Sequence, residues 1–200
     1  MGERKSIVER AHRIELANLE TVVALRQDRD TEVLIRVLQR CRMRVRHLWP
    51  VLGRLPETAE VIFCELTNET PDLLPWMPGE PKGALVVVLN EGEVPDVDLL
   101  INSTADGVLS RPITPGAVLA SVVLACSNFR YHQRLRWRIS RLDESLRSMR
   151  TVERAKEILM RTRNLGEEEA YRFIRQQAMS RRVPLAVVAQ AIIDSHEYLG

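Results

Sequence analysis

Among the side chains able to do chemistry in this 200-residue sequence, arginine dominates, and it is unevenly placed. Residues 130–182 hold 15 Lys or Arg against 7 Asp or Glu, a local charge of +8 in a chain whose total is +2, so the remainder carries −6. Of all basic residues only Lys5, Lys82 and Lys156 are lysines. A guanidinium presents a planar fork of donors that fits phosphate oxygens in pairs and stacks on bases, so an arginine-rich half points to a polyanion partner. Charge alone leaves a second reading open, a long solvated helix of mixed sign. Other chemistries lack their residues. His12, His47, His132 and His196 are scattered without ligand spacing. No G-x-S-x-G, P-loop, H-E-x-x-H or glycine-rich nucleotide fingerprint occurs. Cys41, Cys64 and Cys126 lie in apolar surroundings without C-x-x-C spacing, which reads as buried thiols in a reducing compartment. No catalytic residue, metal or cofactor is expected.

Helices must position this basic stretch. Residues 152–193 read as three short amphipathic helices, each marginal alone and obliged to bury its stripe on the others. The first turns Val152, Ala155, Leu159 and Thr162 to one side. Asn164 suits a left-handed cap, Gly166 an N-cap, and Glu167, Glu168 and Glu169 favour the positive end of a second helix, whose inner side is Ala170, Phe173, Ile174 and Ala178. The third starts at Pro184 and carries Leu185, Val188, Ala189 and Ile192. Upstream, Thr114-Pro115 opens a helix with no stop before Asn164. Leu135, Ile139, Leu142, Leu146 and Met149 alternate by four and three along it, the seam of a left-handed coiled coil, with Asn128 and His132 as polar seam positions that fix register. A helix lying on its own domain is the other reading; a parallel homodimer is favoured.

The first half alternates strands and helices: strands at residues 21–25, 45–48, 61–64, 84–89 and 107–109, a helix capped by Asp30 or Thr31, and a short helix at 97–102. This predicts a parallel doubly wound sheet. The run 84–89 is continuously apolar, as in a strand covered on both faces, and far too short to span a bilayer. Pro71, Pro75, Pro78 and Pro81 forbid a long helix in residues 67–83. Trp76 and Met77 in that loop are either an exposed protein-binding patch or a cover over the sheet. Residues 1–18 are polar, an arm or a frayed helix, with no apolar run to form a signal peptide. A cytoplasmic chain without membrane contact is expected.

Three stretches of the C-terminal segment carry a resemblance: Ala155-Lys156 with Ile158-Leu159-Met160; Glu167-Glu168-Glu169-Ala170-Tyr171; and Ile174-Arg175 with Ala178-Met179, Val188-Ala189 and Ile192-Ile193. In this order and spacing they resemble the ANTAR domain, the RNA-binding module of AmiR- and NasR-type transcription antiterminators. Glu157 and Gly166 depart from the family's usual Gly and Ser or Thr. The resemblance implies contacts to hairpins in an mRNA leader, with Lys156 and Arg175 matching residue by residue, Arg181 and Arg182 only in basic character, Arg163 as a further basic candidate, and Tyr171 as a stacking ring. Such RNA loops are read by stacking and by base-edge hydrogen bonds, with Arg and Lys on the backbone.

The strand order resembles a response-regulator receiver domain, as does Arg111-Pro112-Ile113, similar to that family's Lys-Pro after the fifth strand. The receiver chemistry is not matched. The segment after strand one is Arg26-Gln27-Asp28, the phosphoacceptor position holds Glu65, the hydroxyl position is Asn90 and the lysine position is Arg111. Glu65 is one methylene too long for the usual aspartyl phosphate. Glu65 and Arg111 either pair or never meet. In AmiR-type proteins such a shortened receiver docks a small-ligand-sensing repressor protein (AmiC-like), which makes Trp49, Pro50 and the Trp76 loop the contact candidates. The expected architecture is thus an arm (1–18), an α/β receiver-like domain (19–126), a coiled-coil linker helix (127–151) and an all-α three-helix ANTAR bundle (152–200). The function that follows is a homodimeric antiterminator restrained by a sensor. A phosphorylated response regulator and an adaptor with a protein-binding helical tail are the alternatives.

Overall fold

A computed structural model describes residues 16–77, 79–92 and 94–199, with the side chains of Tyr198 and Leu199 excepted. The chain forms two compact units that divide at Gln133 and Arg134. In the first, five strands pair in parallel: β1 (Glu20–Ala24), β2 (Arg44–His47), β3 (Val61–Glu65), β4 (Ala84–Leu89) and β5 (Gly107–Ser110), in the order β2-β1-β3-β4-β5. Thr21 is in register with Val61, and Val61 with Ala84.

Successive side chains of a strand face opposite ways, so each central strand feeds two cores. Val23, Phe63, Val86 and Leu109 meet Leu34 and Leu38 of α1 (Arg29–Arg40) and Val118, Val122 and Ala125 of the helix that begins at Pro115. Val22, Ile62, Cys64, Leu85 and Val87 instead meet Leu55, Ala59, Leu74 and Trp76. The prolines hold this second cover to loops, one helical turn at α2 (Thr70–Leu73) and the short α3 (Val97–Asn102). Trp76 is only 7% exposed, so it covers the sheet and does not mark a free patch, whereas Trp49, Leu52 and Met77 are exposed.

Two local expectations are corrected. The cap of α1 is Asp28, not Asp30 or Thr31: Asp28 is extended (φ −149°) and its Oδ1 accepts the Thr31 N–H at 2.8 Å. Thr31 is buried and spends its hydroxyl on the Arg26 carbonyl at 2.8 Å. The expected N-terminal arm lies mostly outside the described residues, but its end is packed. Leu16 is buried in the first core, and the Asn18 N–H donates to the Arg42 carbonyl at 2.9 Å.

Helix α4 runs unbroken from Pro115–Arg163, with the Ala117 N–H on Thr114 Oγ1 at 3.3 Å at its start. Asn164 turns the chain in the left-handed region (φ 52°), and α5 (Glu167–Arg181) and α6 (Leu185–Leu199) follow. Glycine has no side-chain acceptor, so the cap of α5 is one-sided: the Gly166 N–H donates to Glu169 Oε2 at 3.0 Å. The bundle core joins Ala155, Ile158 and Leu159 to Ala170, Ile174 and Ala178 and to Val188, Ala189 and Ile193. Ile158 takes the inward place expected of Thr162, which is exposed and donates to the Ile158 carbonyl at 2.7 Å.

Along α4, Ile139, Leu142, Leu146 and Met149 are 52–64% exposed, and Leu135 is half-buried. Asn128 does not belong to that stripe as a register-setting residue. Its Nδ2 donates to the Asp106 carbonyl at 2.9 Å inside its own domain, and His132 Nδ1 lies 3.8 Å from Asp106 Oδ1.

Candidate nucleic-acid interface

A cation can hold phosphate only if its charge is not already neutralised. Lys156 fails that condition. It is 7% exposed, and its Nζ lies 2.8 Å from Glu153 Oε2, one turn back on α4, and 2.8 Å from Glu167 Oε1, the first residue of α5. The hydrogen bonds to Glu153 and then Glu167 raise its pKa, and the same contact lowers that of Glu167. Lys156, expected as an RNA contact, is engaged within the protein in this structure: its ammonium clamps two helices of the bundle. Glu167 is fixed there both by this ion pair and by the positive end of α5.

The other basic candidates are exposed. Arg163, Arg175, Arg181 and Arg182 have no carboxylate partner among the described residues. Residues four apart on a helix share a side, so Phe173, Gln177 and Arg181 form one row on α5. Tyr171 and Arg175 fall about halfway round the helix, and Arg182 lies just past its end in the left-handed region (φ 54°). The structure therefore divides the expected RNA contacts into two rows.

The first row borders a groove of about 460 Å³ between the end of α4 and the sides of α5 and α6. Its floor is Ile158, Leu159, Val188 and Ile192, and its rim carries Arg163, Arg181, Thr162, Gln177, Ser195 and His196. The Arg163 guanidinium carbon lies 4.9 Å from the centre of the Phe173 ring, a cation–π contact that restrains a flexible side chain. No Asp or Glu lines this groove. The neighbouring depression, which shares Ile158 and His196, sets Arg154 and Arg161 against Glu157 and Glu197, and Arg154 is already bound to Glu197 at 2.8 Å. The Arg163–Arg181 groove thus carries positive charge with no carboxylate in its lining. Tyr171, 43% exposed on the opposite row, is accessible for stacking and does not line it. Sequence reasoning passed over Gln177, Ser195 and His196. The available signal was the i, i+4, i+8 row of Phe173, Gln177 and Arg181 along the edge of an apolar stripe.

In the sheet domain the receiver-like positions do converge. Arg111, its side chain 7% exposed, donates from Nη1 to Asp28 Oδ2 at 2.9 Å and approaches Asp30 Oδ2 at 3.5 Å. Its Nη2 lies 3.8 Å from Glu65 Oε1, an ion pair without a hydrogen bond. Burial alone would raise the Asp28 carboxyl. Hydrogen bonds from Thr31 and Arg111, with the Arg111 charge, outweigh it and hold the group at about 2. The receiver fold implies magnesium, and these residues do not fit one: a guanidinium already occupies the middle of the carboxylates. Asn90 is exposed just beyond β4, at the same C-terminal edge. All three cysteines are buried and unbridged, and burial, with the Glu65 charge, pushes the Cys64 thiol up to about 12, so it stays protonated and inert.

Among the described residues no group of three His, Cys, Asp or Glu is placed to hold a metal, and no helix is long and apolar enough to cross a membrane. Two family models match the sequence: "AmiR, N-terminal" over residues 19–126 and "ANTAR domain" over residues 140–193. The second match begins inside α4, upstream of the bundle's buried core. The chain is similar to the aliphatic amidase regulator of Pseudomonas aeruginosa, 24% identical over 183 residues that cover 90% of this chain and 93% of that protein. It is also similar to the transcriptional regulatory protein PdtaR of Mycobacterium tuberculosis, 29% identical over 113 residues that cover 56% of this chain and 55% of that protein.

Proposed function

The chain belongs to the AmiR N-terminal family and carries an ANTAR domain, and from that premise we propose that it binds hairpins in nascent mRNA leaders as a transcription antitermination regulator. The α4–α5–α6 bundle grips the RNA and stabilises a fold that competes with a terminator. The observation that carries this reading is the groove bordered by Arg163 and Arg181, with no carboxylate in its lining. Two unpaired guanidinium groups beside an apolar floor suit a single-stranded loop, whose backbone takes the charge while its bases take the apolar surface.

The sheet domain sets when RNA is bound, by protein contact and not by phosphate. Arg111 holds Asp28, Asp30 and Glu65 in one arrangement, which leaves no acidic cluster free for the metal that phosphotransfer needs. Trp49, Leu52 and Met77, exposed on the loops that cover the sheet, are the contact surface for a small-ligand-sensing repressor protein. The exposed stripe Ile139, Leu142, Leu146 and Met149 of α4 pairs two copies in parallel, so that each dimer engages two hairpins.

The direct test is binding to a hairpin RNA over a range of salt. Neutralising Z phosphates of a single strand gives a log–log slope of about −0.7Z. Replacing Arg163 and Arg181 together by Ala should therefore flatten the slope by about 1.4 and weaken binding to every hairpin. A salt-independent interaction, or an unchanged slope in the double variant, would remove the bundle groove from RNA binding. A protein ligand captured by the bundle in place of RNA would establish the adaptor alternative.

A further inference from the structure

We infer that the Arg163–Arg181 groove is a pocket for one unpaired RNA base, with Arg163 and Phe173 as its stacking shelf and Gln177 as the side chain that reads its edge. The inference rests on the RNA-binding reading above and goes beyond it, because backbone contact alone needs neither a shelf nor a hydrogen-bonding rim.

The geometry carries the argument in three steps. The first is the stack. A lone surface arginine samples many rotamers, but the Arg163 guanidinium is held 4.9 Å over the Phe173 ring. Arg163 is exposed and has no carboxylate partner among the described residues, and bases stack on guanidinium planes as well as on rings. The second step is the rim. Gln177, Ser195 and His196 line the same groove, and none of their side chains hydrogen-bonds another described residue. An amide offers one acceptor and a two-hydrogen donor, the combination that pairs with a base edge carrying both kinds of group. Ser195 and His196 come from α6 and Gln177 from α5, so the edge-reading groups surround the space from two helices. The third step is size and sign. A volume of about 460 Å³ lies within the roughly 300–1,000 Å³ of small-ligand sites, and Arg181 supplies a charge for the phosphate attached to the base. The adjoining depression, with Glu157 and Glu197 in its lining, lacks both the shelf and the positive sign.

The Lys156 clamp has a place in this arrangement. It ties α4 to the first turn of α5, and Arg163 and Phe173 are the residues of those two helices that form the shelf. Lys156 is thus a positioning residue for base stacking without being a contact.

The test uses the full-length protein and a pool of RNA hairpins with one common stem and a randomised terminal loop. Selection should enrich loops that share one base identity at a fixed place, and substituting that base should weaken binding at least tenfold. Gln177→Ala, a change at a half-buried side chain that leaves the bundle core intact, should bring the affinities for the selected and substituted loops to within about threefold. Its salt slope should equal that of the unaltered protein. Phe173→Leu should weaken the selected loop more than the same loop with an abasic site at that place. Arg181→Ala should instead weaken both loops together and flatten the slope by about 0.7. Salt-dependent binding with no enriched loop base, or with discrimination untouched by Gln177→Ala, would overturn the base pocket while leaving the RNA-binding reading in place. Absence of any salt-dependent hairpin binding would overturn both.

Discussion

Replacing Arg111 by Met tests whether the receiver-like site is a fixed ion-pair cluster. The change keeps most of the side-chain volume and removes the buried cation shared by Asp28, Asp30 and Glu65, leaving Asp28 only the exposed Arg26, whose Nε lies 3.2 Å from its Oδ2. A charged hydrogen bond removed by mutation costs about 1.5–3 kcal/mol, and breaking a fully buried pair costs about 3–5 kcal/mol. Arg111 is buried but its three carboxylates are 23–27% exposed, so water recovers part of the loss, and about 1–3 kcal/mol is expected at neutral pH. The Asp28 carboxyl gives an independent figure. Held at about 2 in place of 3.8, it stabilises by roughly 2 kcal/mol at about 1.4 kcal/mol per pH unit, of which Arg111 supplies a part and Thr31 the rest. Because the folded value lies below the unfolded one, this contribution is complete above pH 3.8 and fades as the pH falls through about 2. The assay is urea unfolding followed by tryptophan fluorescence. Trp76 is the one tryptophan buried in the sheet domain, while Trp49 and Trp137 are 50% and 60% exposed. Asp28→Asn completes a double-mutant cycle, since Asn caps a helix as well as Asp does and only the charge is lost. A coupling of about 1–2 kcal/mol is expected between the two sites, with the gap between unaltered protein and Arg111→Met shrinking from pH 5 to pH 2.5. A coupling below about 0.5 kcal/mol, within the additivity of independent sites, or a gap indifferent to pH, would refute the cluster as a stabilising unit.

Three other outcomes are expected. Incubation with acetyl phosphate and magnesium should leave the intact mass unchanged, and Glu65→Asp should not restore uptake while Arg111 stays among the carboxylates; phosphate gained by either protein would reverse the reading. Leu142→Glu with Leu146→Glu should convert a dimer to a monomer in sedimentation velocity, with the far-ultraviolet dichroism of the helices retained; a monomeric unaltered protein would end the pairing proposal. Lys156→Met should lower the melting temperature of the bundle. Because the folded pKa of Lys156 is raised, the stability it lends is complete below 10.5 and lost only as the pH rises through the folded value, so the deficit should be flat between pH 6 and 9. A deficit that changes across that window would assign the effect to another group.

Much of the fold was legible because it rests on local periodicity. Residues 61–64 of β3 and all of β4 are apolar, as two-sided burial requires, and the spacing of Ala170, Ile174 and Ala178 gives one helical side regardless of what it packs on. Thr114-Pro115 and Asn164 mark the ends of a 49-residue helix through backbone chemistry carried by single residues. The site was less legible, for the same reason in reverse. Lys156 sits in a pattern of surface-type residues, and only the approach of Glu167 from the next helix turns its charge inward. Trp76 lies in a proline loop whose pattern left an exposed patch and a cover over the sheet both open, and only its packing with Ile62 and Cys64 decides for the cover. Asn128 has the heptad spacing of a seam residue, yet its amide is taken by the Asp106 carbonyl, 22 positions away.

By itself, then, the sequence determined the order of elements, the two-sided sheet, the unbroken helix, the three-helix bundle and the positive sign of the C-terminal half, since each follows from propensity, periodicity or composition within a short window. The tertiary structure alone decided which cations remain available and which carboxylates share Arg111. Those outcomes depend on distances between residues remote in the chain, where a difference of an ångström or two separates an ion pair from a free charge and no local pattern records it.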